Sequence, residues 1–260
     1  NIIVKNIPNT ITLLNILSGS VSIIFALLID DGLILAALLI FLASIFDFLD
    51  GFFARLLKVS SELGKQLDSL ADMVSFGLAP AFIMFKLIYN SFNDNMSLSD
   101  LTLLQIILLS SSILIALFSA VRLAKFNIDS NQQYSFKGLP TPALAIFVAS
   151  LPVIFFSDSF ALFLKKLNLI ISENLFLIYN PYFLSILSVL LSVLLVSNLS
   201  MFSLKFTNYG FKNNIVKYIF LILSALLLLF LQTLALPIII ILYIVGSMGV
   251  ATTNKLKKNH

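Results

Sequence analysis

DFLDGFFARLLKVSSELGKQLDSLADMVSFG, from Asp47 to Gly77, joins two strongly apolar stretches and carries four aspartates in two pairs. Asp47 and Asp50 are three residues apart, and Asp68 and Asp72 are four apart. On a helix either spacing puts both side chains on one face, the first pair about 4.5 Å apart along the axis. If the two helices turn back on each other near Lys58 to Ser61, all four carboxylates converge. Unpaired, each would cost several kcal/mol in a low-dielectric setting, and bridging divalent cations are the simplest remedy. The chain has no Cys and its single His is His260, so the available ligands are oxygens and the suitable ions are Mg²⁺, Mn²⁺ or Ca²⁺. Two such ions about 4 Å apart can clamp a diphosphate. Gly51, Ala54 and Gly64 leave room for a nucleotide or a neighbouring backbone, and Arg55 can neutralise phosphate charge left uncovered by metal. A lone interfacial Asp is more often a cap or turn residue, as Asp30 and Asp31 before Gly32 illustrate; four in facing pairs are not explained that way.

Outward from this stretch the chain is a membrane sequence. It has 260 residues, 60% of them hydrophobic and 11% charged, which no soluble globule can arrange. The expected fold is all-α and polytopic, with eight spans at 9–29, 33–57, 62–89, 101–126, 140–158, 182–198, 215–232 and 236–253. A short interfacial helix is expected within 160–178, and kinks at Pro80 and Pro152. Without repeats or a long linker, 1–260 reads as one integral membrane domain. The first apolar run is followed at once by another and lacks a small-residue cleavage site, so no cleavable signal peptide is expected there.

Eight spans put both termini on one side. Of the 16 Lys and Arg, only Lys86, Lys165 and Lys166 fall on the other, so the positive-inside rule makes both termini and the aspartate loop cytoplasmic. The net charge of +4 is thereby explained by topology, and no aromatic-interleaved basic stripe suggests nucleic acid. The Lys255, Lys257 and Lys258 tail reads as an orientation signal.

The spacing D-x2-D-G-x2-A-R-x8-G-x3-D-x3-D resembles the CDP-alcohol phosphatidyltransferase signature at every fixed position. That resemblance implies a six-helix transmembrane core, a homodimer, and a CDP-linked lipid or alcohol meeting an acceptor hydroxyl. It implies that Asp47, Asp50, Asp68 and Asp72 hold the metal ions, with Mg²⁺ or Mn²⁺ expected and Ca²⁺ a third candidate. It also implies that Gly51, Ala54, Arg55 and Gly64 surround the CDP group and that Asp72 is the general base. Ile7 to Gly19, Leu67 to Ala81, Arg122 to Asn127, Phe136 to Ala143 and Val196 to Lys205 look like the bacterial and archaeal serine-transferring branch of that family. Lys125 stands where Arg is expected, and Phe52 and Phe53 where relatives often carry a polar residue.

The implied reaction is attack of the L-serine hydroxyl on CDP-diacylglycerol in a prokaryotic cytoplasmic membrane. Arg122 and Lys137, with Lys205 behind them, are the candidate partners for serine or lipid phosphate, though topogenic charge explains them equally well. Asn9 and Thr10 are candidates for touching the nucleotide, against the commoner role of helix capping. The cations between the fourth and seventh spans read as isolated, which favours an unphosphorylated acceptor over glycerol 3-phosphate or inositol phosphate; inositol stays open. A divalent-cation transporter is the reading from another class, but transport gives no reason for Gly, Ala and Arg at those intervals.

Overall fold

The computed structural model describes residues 2–59, 61–92, 100–128, 136–156, 179–201 and 210–258. The anticipated interfacial helix, and Lys205, lie outside them. Helices α1 (Ile2–Leu28) and α2 (Leu33–Leu56) form an antiparallel pair, closed by a turn in which Asp31 takes a left-handed φ of 55°. Small residues let the two backbones approach: Ala36, Ala37 and Ala43 of α2 are fully buried, and Ser22 of α1 donates to the Ala36 carbonyl at 2.8 Å. With lipid outside, such packing and not apolar burial holds helices together.

The third pass is α3 (Glu62–Asp72), a π-helical turn (Met73–Leu78) and α4 (Ala79–Asn90). The wide turn precedes Pro80, which has no amide hydrogen to give the carbonyls of the preceding turn, so some departure from a regular α-helix is required there. The kink expected at Pro80 is thus a local widening of the helix. Ser75, Phe76 and Gly77 of this turn are buried, and Ser75 donates to the Asn15 carbonyl of α1 at 2.9 Å. Gly19 is what allows the approach, since a Cβ there would strike Ser75.

Helices α5 (Leu103–Ser110) and α6 (Ile113–Ile128) make the fourth pass, α7 (Thr141–Phe156) the fifth and α8 (Pro181–Val196) the sixth. Helix α8 turns Ser185, Ser188 and Ser192 inward and Phe183, Ile186, Leu190 and Val193 outward. The inward hydroxyls are satisfied locally, Ser188 on Leu184 O at 2.8 Å and Ser192 on Ser188 O at 2.7 Å. That inversion of the soluble pattern is what a lipid surround requires.

The last apolar stretch, 214–250, comprises 37 residues but is two passes. Helix α9 (Phe211–Leu231) and helix α10 (Ala235–Lys258) meet at Gln232, whose φ of 49° breaks the rod. Phe220 and Tyr243, nearly equidistant from that break, have ring centroids 5.8 Å apart, so the pair is a hairpin. Every expected span is therefore helical, and the all-α polytopic fold is confirmed. One small addition is a two-residue antiparallel ladder, β1 (Phe136–Lys137) with β2 (Ser200–Met201).

Candidate active site

The α2–α3 connection brings the aspartate pairs together. Backbone bonds from Leu57 to Phe53 O at 2.9 Å and from Val59 to Ala54 O at 2.9 Å close the end of α2. Lys58 supplies the left-handed turn with φ 53°. Ser61 then caps α3, accepting from the Gly64 amide at 2.9 Å. As a result, one carboxylate oxygen from each of Asp47, Asp50 and Asp68 lies within 4.8 Å of the other two. Asp50 is buried, Asp47 half-buried and Asp68 exposed.

Asp72 stands one turn further along the helix, within hydrogen-bonding reach of Asp47 and close enough to Asp68 and Arg122 to feel their charges. Its Oδ1 is buried with no hydrogen-bond partner among the described residues. An all-oxygen donor set, converging carboxylates and an orphaned buried carboxylate oxygen are the features a hard divalent cation requires, so the residues fit the metal that the motif implies.

Beside this cluster is a cavity of about 180 Å³, lined by Asn9, Thr12, Asp50, Gly51, Ala54 and Gly64 among others. Asn9 faces Gly64, where an added Cβ would come 3.0 Å from Asn9 Oδ1. The Arg55 guanidinium lies over Gly51, with NH1 3.6 Å from the position a Cβ would occupy there. Thr10 is not in this group: it is exposed, and its hydroxyl donates to Asn6 O at 3.0 Å. The threonine that reaches the cluster is Thr12, which donates to Asp50 Oδ2 at 2.7 Å. Its signal in the sequence is the spacing of three from Asn9, which puts both on one face of α1.

A second cavity, of about 290 Å³, gathers Arg122, Lys125 and Lys137. The cations that read as isolated in the sequence are thus brought together. Arg122 is 9% exposed and its NH1 donates to Thr141 Oγ1 at 3.4 Å, while Nε has no partner among the described residues. Lys137 is held by the ladder and by the two residues after it. Gly138 donates to Leu199 O at 2.9 Å, and Leu139 donates to Leu194 O at 2.9 Å. Gly138 has φ +75°, and a Cβ there would strike the Leu195 carbonyl. Asp72 thus interacts electrostatically both with Asp47 and Asp68 of the acidic cluster and with Arg122 of the second cavity.

The profile of the CDP-alcohol phosphatidyltransferase family matches residues 5–179. A CDP-diacylglycerol–serine O-phosphatidyltransferase of Helicobacter pylori is 34% identical over 217 residues, which are 82% of this chain and 79% of the relative. One of the same name from Methanocaldococcus jannaschii is 38% identical over 140 residues, 54% of this chain and 57% of the relative. The archaetidylserine synthase of Methanothermobacter thermautotrophicus is 33% identical over 146 residues, 55% of this chain and 56% of the relative.

Proposed function

The chain belongs to the CDP-alcohol phosphatidyltransferase family, and from that membership we propose that it transfers the phosphatidyl group of CDP-diacylglycerol to the hydroxyl of L-serine, giving phosphatidylserine and CMP. The observation that carries the reading is the convergence of Asp47, Asp50 and Asp68, with Asp72 interacting electrostatically both with that cluster and with Arg122. In the proposed reaction the serine oxygen forms a bond to the phosphorus that bears diacylglycerol. The bond from that phosphorus to the bridging oxygen of the diphosphate breaks, and CMP departs.

Asp47, Asp50, Asp68 and Asp72 would together hold two divalent ions, Mg²⁺ or Mn²⁺. Bound there, the ions would neutralise the diphosphate and the charge that develops on CMP as it leaves. Asn9, Gly51, Ala54 and Gly64 would accommodate the nucleotide, and Arg55 would pair with phosphate from the rim. Asp72 would take the serine proton as the new bond forms, through a carboxylate oxygen turned from metal. Arg122 and Lys137 would hold the serine carboxylate, which orients the hydroxyl toward Asp72.

The proposal places the protein in a prokaryotic cytoplasmic membrane, as a homodimer with both termini and the site on the cytoplasmic face. The clustering of Arg55, Lys58, Lys65, Arg122, Lys125 and Lys137 at the aspartate end of the bundle, against Asp30 and Asp31 at the other, supports that sidedness. One observation favours a second acceptor class, since three cations around one cavity also suit a phosphorylated alcohol. The deciding experiment offers CDP-diacylglycerol with serine, glycerol 3-phosphate, inositol or inositol phosphate separately and identifies the lipid. Phosphatidylserine formed with serine alone supports the assignment; any other product as the sole one overturns it.

A further inference from the structure

The cavity that gathers Arg122, Lys125 and Lys137 has a second kind of lining, the end of α8. Leu195 and Val196 of its last turn and Ser197 and Asn198 just beyond line the same space. Two backbone bonds hold that end against the strand carrying Lys137, Leu139 N on Leu194 O and Gly138 N on Leu199 O, each 2.9 Å. They bracket residues 195–198, so the cations and the helix end form one site. Arg122 marks it as a ligand site, being 9% exposed with Nε lacking an acceptor among the described residues. A buried guanidinium in that state calls for an anionic ligand.

An anion accounts for the three cations but gives the α8 end nothing to do. The last carbonyls of a helix lack helical amides and carry a partial negative charge, which attracts cations. No charged side chain of α8 offsets it, and no Asp or Glu lines the cavity. Asn198 is exposed at this end and adds an amide oxygen, an acceptor for N–H donors. A ligand with a carboxylate and an ammonium on the adjacent carbon uses both linings at once.

We propose that the end of α8 is the ammonium half of the acceptor site. Asn198 accepts a hydrogen bond from the ammonium through Oδ1, and the helix carbonyls supply negative potential, while Arg122 and Lys137 take the carboxylate. The inference rests on the reading of serine as acceptor and of those two cations as its partners. It adds the basis of selection, since a phosphorylated alcohol has no group for the α8 end.

The test is CMP release by the full chain in lipid nanodiscs at saturating CDP-diacylglycerol. The acceptor is L-serine or 3-hydroxypropionate, which keeps the hydroxyl and the carboxylate but lacks the amine. With either, the acceptor oxygen bonds to phosphorus and CMP departs. The unaltered chain is expected to favour serine about tenfold or more in kcat/KM. Asn198→Ala is expected to lower kcat/KM about tenfold for serine and less than twofold for 3-hydroxypropionate, with KM for CDP-diacylglycerol within about twofold. Asn198→Asp retains an acceptor oxygen and is expected to retain the preference for serine. Equal losses with both acceptors for Asn198→Ala, no loss with serine, or 3-hydroxypropionate used as well as serine by the unaltered chain would each overturn the inference and leave serine standing as the acceptor. If the unaltered chain uses neither and transfers only to glycerol 3-phosphate, the reading beneath the inference fails first.

Discussion

Thr12 donates to Asp50 from outside the acidic cluster, and the bond at 2.7 Å crosses from one helix to another. A hydrogen bond to a charged group contributes about 1.5–3 kcal/mol. Thr12→Val is therefore expected to raise the Mg²⁺ concentration for half-maximal CMP release about tenfold or more, with Thr12→Ser restoring most of the affinity. Asp47→Asn and Asp68→Asn each remove a proposed metal ligand and are expected to lower turnover by more than about a hundredfold; unchanged metal dependence in the double variant would sink the site. The aspartates were legible in the sequence because i, i+3 and i, i+4 spacing fixes a shared face before any tertiary contact forms. Thr12 was not, because its value depends on the register of α1 against α2, and Thr10, two residues earlier, faces away. Nor could the sequence show Arg122, Lys125 and Lys137 around one cavity, since the strap through Gly138 that carries Lys137 to α8 is a tertiary event.

Among the elements, the π-turn at Met73–Leu78 directly follows Asp72 and joins the aspartate-bearing α3 to α4. It is wedged against α1 at Gly19. Gly19→Ala is expected to force the two helices apart at a cost of about 1–3 kcal/mol. The measurement is the thermal midpoint together with kcat, both of which should fall. Ser75→Ala removes only the bond to Asn15 O and should cost about 1 kcal/mol. The eight spans were readable because a run of about 20 apolar residues has few alternatives to a helix in lipid. A proline in such a run announces a departure from ideal geometry but does not say which, so Pro80 marked the place and packing chose the wide turn. Gln232 carries no such mark, although the expected spans 215–232 and 236–253 part there.

For the molecule as a whole, the absence of Cys makes sidedness directly testable. Single cysteines at Lys58 and at Asp31 should react with a membrane-impermeant maleimide from opposite faces, Lys58→Cys from the cytoplasmic one; the reverse result would invert the topology. Removing divalent metal with a chelator should abolish CMP release and lower the thermal midpoint, because an ion that binds only the folded chain stabilises it by mass action. Mg²⁺ or Mn²⁺ should restore both. Helix α8 adds a property of the surrounding lipid. With 16 residues it rises about 24 Å, some 6 Å short of a typical hydrocarbon core of about 30 Å. The bilayer beside it must thin, or the chain at its ends must dip beneath the headgroups. Either adjustment draws the aqueous boundary inward at the Ser197 end, where the cationic cavity opens. A small water-soluble acceptor can then meet its greasy co-substrate at a dimple in the membrane surface, and neither has to leave its own phase to do so.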